Sequence, residues 1–317
     1  MVVAFTKPYL SVPDQIAQLK RRGMVISDDA AATAYLRRIG YYRLSGYWHP
    51  WRNSTPPHPP SQPALVVHDD FRPGTEFRHV VELYVFDKKL RLLILDGVER
   101  IEVALRTDIA LLMGLHSPVA HRDPAYLSLK FTTVTKDHAE WLKRLDKSYS
   151  RSKEDFVKHY KAKYLPPAPL WIAVELWDFG MLSHFLGGMR DPDLDILATN
   201  YGFPRRILLT SWVRSINFVR NVCAHHGRLW NRSVIDQPKA PSHGAVPALD
   251  HLVADTYARE RLYGVAVAIR YLLQTVNPST TWGARLGDLV NGFPSAPGIS
   301  IRHMGFPSDW QSQHLWP

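Results

Sequence analysis

LYVFDKKLRLLILDGVERIEVALRTDIALL, residues 83–112, decides the fold class. Leu83, Phe86, Leu90, Ile94, Val98, Ile101, Leu105, Ile109 and Leu112 recur three or four residues apart. At about 100° per residue, that spacing puts them on one face of a helix. The stretch predicts a long bundle helix from Thr75 to Leu115, with Gly97 as a candidate bend. Glu99, Arg100, Glu102 and Arg106 interrupt it with charge. They can line a cleft near Arg220, or pair at i,i+3 and i,i+4 on a solvated face, the reading that the spacing slightly favours.

Working outward, nearly every other segment also reads as helix. Ser11 and Asp14 resemble a capping box that opens a helix ending at Gly23, and Ser27 or Asp28 can cap a second one towards Ile39. Two short helices across a tight connection also suit a helix-turn-helix DNA reader, an arrangement common in any α protein. Tyr41, Tyr42, Tyr47, Trp48 and Trp51 surround Arg43. Such aromatics can stack on bases, but packing of the N-terminal segment is the commoner role. Residues 53–67 hold five prolines and read as an extended exposed loop. Lys136 to Tyr164 reads as amphipathic helix with a basic face, a candidate RNA-contacting surface. Leu170 to Met189 is an apolar helix carrying Glu175, Asp178 and His184, whose carboxylates can orient an imidazole or serve as caps and ion-pair partners. Asp250 to Thr275 closes the helical set, and the tail beyond Asn277 reads as irregular structure anchored by Met304-Gly305-Phe306-Pro307 and Trp310. The expected organisation is an all-α chain: an N-terminal helical and aromatic segment over 1–70, a helical bundle over 71–276, and a packed tail over 277–317.

The chemistry concentrates in Arg220-Asn221-Val222-Cys223-Ala224-His225-His226-Gly227-Arg228-Leu229-Trp230-Asn231-Arg232. Pro204 is placed to open a helix running through Trp212 towards His226, with Gly227 near its end. Trp212, Ile216, Val219 and Cys223 then form an apolar stripe, while Arg214, Asn217, Asn221, His225 and Arg228 fall on the opposite face. Arg220 sits on the flank, about 140° from His225, so it must reach or a second copy must contribute. Arg is a permanent cation with a planar phosphate-binding fork, and His exchanges protons near neutrality. That pairing suits chemistry on a phosphodiester. Cys223, His225 and His226 also offer metal-ligand chemistry, but zinc sites draw paired ligands from separated segments and only one Cys exists, so no metal is expected.

These residues carry a resemblance to the Abi-like abortive-infection proteins of bacteria, within the HEPN superfamily of α-helical RNases. The HEPN signature is Arg, a polar residue, three further residues and His, and Arg220, Asn221 and His225 fit it. The resemblance extends through Lys7-Pro8-Tyr9-Leu10, Tyr41-Tyr42-Arg43-Leu44-Ser45-Gly46-Tyr47-Trp48, Glu99-Arg100-Ile101-Glu102-Val103-Ala104-Leu105-Arg106, Glu175-Leu176-Trp177-Asp178-Phe179-Gly180 and Met304-Gly305-Phe306-Pro307. It implies a HEPN-like bundle and a metal-independent endoribonuclease of phage defence, in which ribose 2′-hydroxyl attack leaves a 2′,3′-cyclic phosphate and a 5′-hydroxyl. Under this reading His225 is general base or acid, Arg220 stabilises phosphoryl charge, and Asn221 orients His225 or holds the phosphate. His226, Arg228, Arg214 and Arg100 are candidates for substrate contact. HEPN relatives face two motifs across a dimer, which implies a homodimer, with an antitoxin protein or small RNA as its restraint. The alternative is a non-catalytic RNA- or nucleotide-binding HEPN module acting by sequestration or partner recruitment.

Composition is compatible with a folded protein that binds nucleic acid but decides less, since many bacterial proteins are basic for no specific reason. The chain has 317 residues, a formal net charge of +10 and a pI near 9.6, which favour polyanionic partners through counterion release. Its single cysteine excludes an internal disulfide and suits a reducing cytoplasm. No signal peptide and no apolar run of about 18 residues is evident. Phosphate-loop and dinucleotide-binding motifs are absent, so neither a nucleotide nor another cofactor is expected.

Overall fold

The computed structural model describes residues 4, 6, 8–57 and 64–316, and these divide into two compact units. The first comprises residues 1–90 and 288–303, the second residues 91–287 and 304–317.

In the first unit, α1 (Val12–Arg21) is capped by Ser11, whose hydroxyl accepts from the Asp14 amide, and Gly23 just beyond it takes φ 91°. Asp28 caps α2 (Asp29–Ile39) by accepting from the Ala31 amide at 2.8 Å. Both caps match the local sequence signals, because each orphan amide at a helix start needs an acceptor. After α3 (Tyr41–Trp48), Tyr47, Trp48 and Trp51 are buried, whereas Tyr42 is exposed. The aromatic cluster is therefore chiefly packing. Tyr47 donates to the wholly buried Asp87 at 2.6 Å, and the Trp51 indole donates to the Pro297 carbonyl at 2.6 Å.

The proline-rich loop differs from expectation at its ends. Arg52–Thr55 (β1) pairs antiparallel with Val66–Phe71 (β2), with Arg52 opposite Phe71 and Thr55 opposite Val66. Asp69 accepts from both Arg22 and Arg52. Residues 58–63, with Pro59, Pro60 and Pro63, lie outside the described residues. Two short strands of mixed polar and β-branched residues lack the periodic signal of a longer strand, while the prolines between them signal an extended loop.

The long helix exists as one element, α4 (Phe77–Gly114), whose first turns belong to the first unit and the remainder to the second. Its stripe from Leu83 to Ile109 is buried throughout. Gly97 is a packing position inside this helix: a Cβ there would lie 2.8 Å from the Trp282 ring nitrogen and 2.9 Å from a methyl of Ile269. The Trp282 indole donates to the Leu93 carbonyl at 2.8 Å, which fixes that approach.

The second unit continues with α5 (Asp137–Arg151), α6 (Asp155–Lys163), α7 (Leu170–Ala173), α8 (Phe179–Gly188), α9 (Asp191–Asn200) and α10 (Arg206–Ala224). It closes with α11 (Asp250–Ala254), α12 (Thr256–Arg259), α13 (Leu262–Val276) and the first turns of α14 (Trp282–Asn291), whose residues 288–291 belong to the first unit. A π-helical turn over Lys130–Val134 precedes α5. The α14 helix corrects the reading of the region beyond Asn277 as irregular, since Trp282, Leu286 and Val290 recur at helical spacing and are buried. Met304, Phe306 and Trp310 are buried anchors as expected. Among the described residues, the chain is an all-α bundle with one two-stranded sheet, and no helix is long and apolar enough to cross a membrane.

Two predictions follow from this packing. Replacing Gly by Ala inside a helix usually stabilises it by about 1 kcal/mol. Gly97→Ala is expected to reverse that sign and destabilise by about 1–3 kcal/mol, because the methyl must displace Trp282 and Ile269; thermal unfolding measures it. The second concerns His121, which is fully buried with neither ring nitrogen hydrogen-bonded, and whose pKa burial pushes down from 6.5 to about 3. The unfolded imidazole binds a proton that the folded one refuses, so stability is flat above pH 6.5 and falls as the pH drops towards 3. His121→Leu should flatten part of that slope in melts recorded between pH 7 and 4.

Candidate active site

The site is built on α10. Trp212, Ile216, Val219 and Cys223 are all buried, and the Trp212 indole donates to the Lys239 carbonyl at 2.7 Å, which locks the rotation of the helix about its axis. The α10 helix packs on α8, α9 and α13. The opposite face, with Arg214, Asn217, Asn221 and His225, is left to line a cavity of about 710 Å³.

The end of α10 is set by the backbone. His225 is the C-cap residue, with its amide donating to the Asn221 carbonyl at 3.0 Å. The next two amides turn back onto the last turn, His226 to the Cys223 carbonyl at 3.0 Å and Gly227 to the Val222 carbonyl at 2.8 Å. That is the Schellman arrangement, and it needs a left-handed residue at the position after the cap. His226 occupies it, with φ 56°. A side chain there costs about 1–2 kcal/mol relative to the right-handed region. The helix therefore stops at Ala224, with His225 exposed at the C-cap.

Arg220 reaches the same cavity from its flank, so one copy of the chain brings Arg220, Asn221 and His225 to one concavity. Among the described residues, the side chains of Arg220 and His225 hold no hydrogen bond and are available to a ligand. The Asn221 side-chain amide donates to the Asn217 side chain at 3.5 Å rather than to His225. Arg214 lines the cavity; His226 and Arg228, just beyond the helix end, do not. Arg100 is not brought there either. It donates to Asp96 and to the Thr280 hydroxyl, each at 3.0 Å. On α4, Glu102 is coupled electrostatically to Arg220 of the motif. It accepts from Arg106, which also donates to the Trp177 carbonyl. Burial raises its pKa against the opposing pull of Arg106 and then Arg220. Glu102 is thus an i,i+4 partner of Arg106 and an electrostatic neighbour of Arg220, and it does not line the cavity.

The remaining walls come from two stretches that sequence spacing did not tie to the motif. Lys130, Asp137 and Arg144 arrive from the π-helical turn and α5, while Asp178 and His184 arrive from α8. Asp178 caps α8 by accepting from the Met181 amide at 2.8 Å, and it also pairs with Arg144. The Phe131 ring packs against His184 and covers Gly188, where a Cβ would come within 2.2 Å of the ring. The basic character of residues 136–164 was legible; that Arg144 faces this cavity was not, because the register of α5 is set by buried His138, Trp141 and Leu145. Cations and imidazoles around an open concavity can bind a polyanion and move protons on it. Among the described residues, no group of three or more His, Cys, Asp or Glu side chains is arranged to hold a metal ion.

A protein-family profile described as Abi-like protein matches residues 34–231. The match includes α10 and every residue named above as lining the cavity. No curated protein and no solved structure matches the chain.

Asp178 separates a cap from an ion pair. Asp178→Asn retains the capping oxygen and is expected to stay near wild-type stability, whereas Asp178→Ala should lose about 0.5–2 kcal/mol. Denaturant titration of the two variants reads the difference.

Proposed function

This chain belongs to the Abi-like protein family, whose name points to abortive infection as a defence against phage, and from that premise we propose that it is a metal-independent endoribonuclease. The observation that carries the reading is the convergence of Arg220, Asn221 and His225 on one open cavity whose rim also holds Arg214, Arg144 and Lys130. A fixed guanidinium and an imidazole lining one cavity supply charge stabilisation and a proton acceptor for transesterification of RNA. The imidazole takes the 2′-hydroxyl proton, the 2′-oxygen attacks phosphorus, and the guanidinium meets the charge that grows on the phosphoryl oxygens. DNA lacks the nucleophile and is not cut.

In this reading Asn221 acts on the phosphate. Its carbonyl is engaged by the His225 amide and its side chain lies beside Asn217, so it is better placed to hold substrate than to orient the imidazole. RNA is the proposed substrate, drawn by the net positive charge of the chain. A homodimer and a restraining antitoxin protein or small RNA are the partners that the HEPN resemblance implies, and we retain both as proposals together with a cytoplasmic location.

The test is cleavage of a structured RNA pool in EDTA by wild type, Arg220→Ala and His225→Ala, with analysis of product ends. We expect 2′,3′-cyclic phosphate and 5′-hydroxyl ends from wild type and a loss of about 10²-fold or more in each variant. Tight RNA binding without turnover in wild type would favour the sequestering module instead.

A further inference from the structure

We propose that His184, oriented by Asp137, is the second acid-base group of this cavity, acting as general acid on the leaving 5′-oxygen while His225 acts as base. The assignment rests on the nuclease reading above and deepens it. Transesterification needs a proton removed from the 2′-hydroxyl and another delivered to the departing oxygen, and the Arg220 to His225 motif holds one imidazole facing the cavity. The structure places a second in the same concavity. His184 lies on α8, with its side chain half exposed, and its Nε2 is 3.5 Å from a carboxylate oxygen of Asp137 at the start of α5.

Three features set this pair apart from a chance surface contact. The carboxylate is locally held, since hydrogen bonds from Thr135 and then from His184 keep Asp137 below the usual carboxylate range. The imidazole is held too, by an edge-to-face contact with Phe131 at 5.3 Å between ring centres. Phe131 is itself buried between His138 and Phe185 and cannot retreat from Gly188. Asp137 and His184 thus line the same open cavity with Nε2 of the imidazole nearest the carboxylate, a pairing through which a carboxylate fixes the tautomer and orientation of a proton-transferring histidine.

The step balances without any co-reactant. His225 accepts the 2′-hydroxyl proton; the bond from the 2′-oxygen to phosphorus forms as the bond from phosphorus to the 5′-oxygen breaks. The proton of the His184 imidazolium passes to that oxygen, and solvent then resets both rings. One protomer with two imidazoles and Arg220 needs no histidine from a second copy, so dimerisation would serve RNA binding or regulation.

A leaving group that needs no proton distinguishes a general acid from a structural residue. Wild type, His184→Gln and Asp137→Asn are compared under single-turnover conditions on an RNA with one cleavable linkage and on the same RNA with sulfur replacing the bridging 5′-oxygen. We expect His184→Gln to lose about 10²–10⁴-fold on the oxygen ester and to return to within tenfold of wild type on the sulfur ester. Asp137→Asn should show a smaller loss, also rescued by sulfur. RNA affinity should change less than threefold in either variant. His225→Ala should stay slow on both esters. Equal losses on both esters, or a His184→Gln enzyme at wild-type rate on the oxygen ester, would overturn the assignment while leaving the nuclease reading intact. A wild type that cuts neither RNA would remove both.

Discussion

The structure depends on the rotational setting of a single helix. Residues Arg206–Ala224 cannot turn about their axis, because Trp212, Ile216, Val219 and Cys223 are buried on one side and the Trp212 indole is tied to the Lys239 carbonyl. A rotation of one residue, about 100°, would drive Arg214 or Asn217 towards the core, and an unpaired buried charge is far more costly than any gain in contact. The polar face is thus held towards the cavity by the hydrophobic effect acting on the other face. The left-handed backbone at His226 then ends the helix one residue after the imidazole. Position along the chain and angle around the helix are fixed by separate interactions, neither of which involves the side chains of Arg220, Asn221 or His225.

The electrostatics are arranged in two layers. At the rim, Arg214, Arg220 and Lys130 meet solvent, and Arg144 is balanced by Asp178. Closer to the core, Glu102 is held by Arg106 and faces the field of Arg220. A carboxylate in that position limits how strongly the cavity repels its own cations, yet burial keeps its proton affinity above the usual range. The cavity therefore gathers positive charge while one of its balancing charges is shielded from solvent.

Much of this was legible in the sequence, and the reasons are specific. Helix-forming periodicity is local, so Leu83 to Ile109 and Trp212 to Cys223 declare their faces, and Ser11 and Asp28 announce the helix starts that they cap. The resemblance carried by Arg220, Asn221 and His225 depends on spacing within two turns. What lies across the cavity depends on pairing between distant segments. Asp137 stands 88 positions before His225, and nothing in the periodicity of α5 says which wall its first residue joins. Arg100 illustrates the converse. Its place in a family-like block suggested substrate contact, but Asp96 and Thr280 claim its guanidinium. The strands at 52–55 and 66–71 escaped because tertiary pairing, here with Asp69 bridging two arginines, made structure from segments with little signal of their own.

Gly188 has a consequence for how such a site can change through descent. Any side chain at that position would collide with Phe131, and Phe131 is the surface against which His184 rests. A lineage that gains even a methyl group at 188 must exchange the ring at 131 for something smaller, and the histidine then loses its support. Positions 131, 184 and 188 are therefore bound to drift together or not at all, although 57 residues separate the first from the last. Arg214, exposed at the rim, carries no such packing constraint.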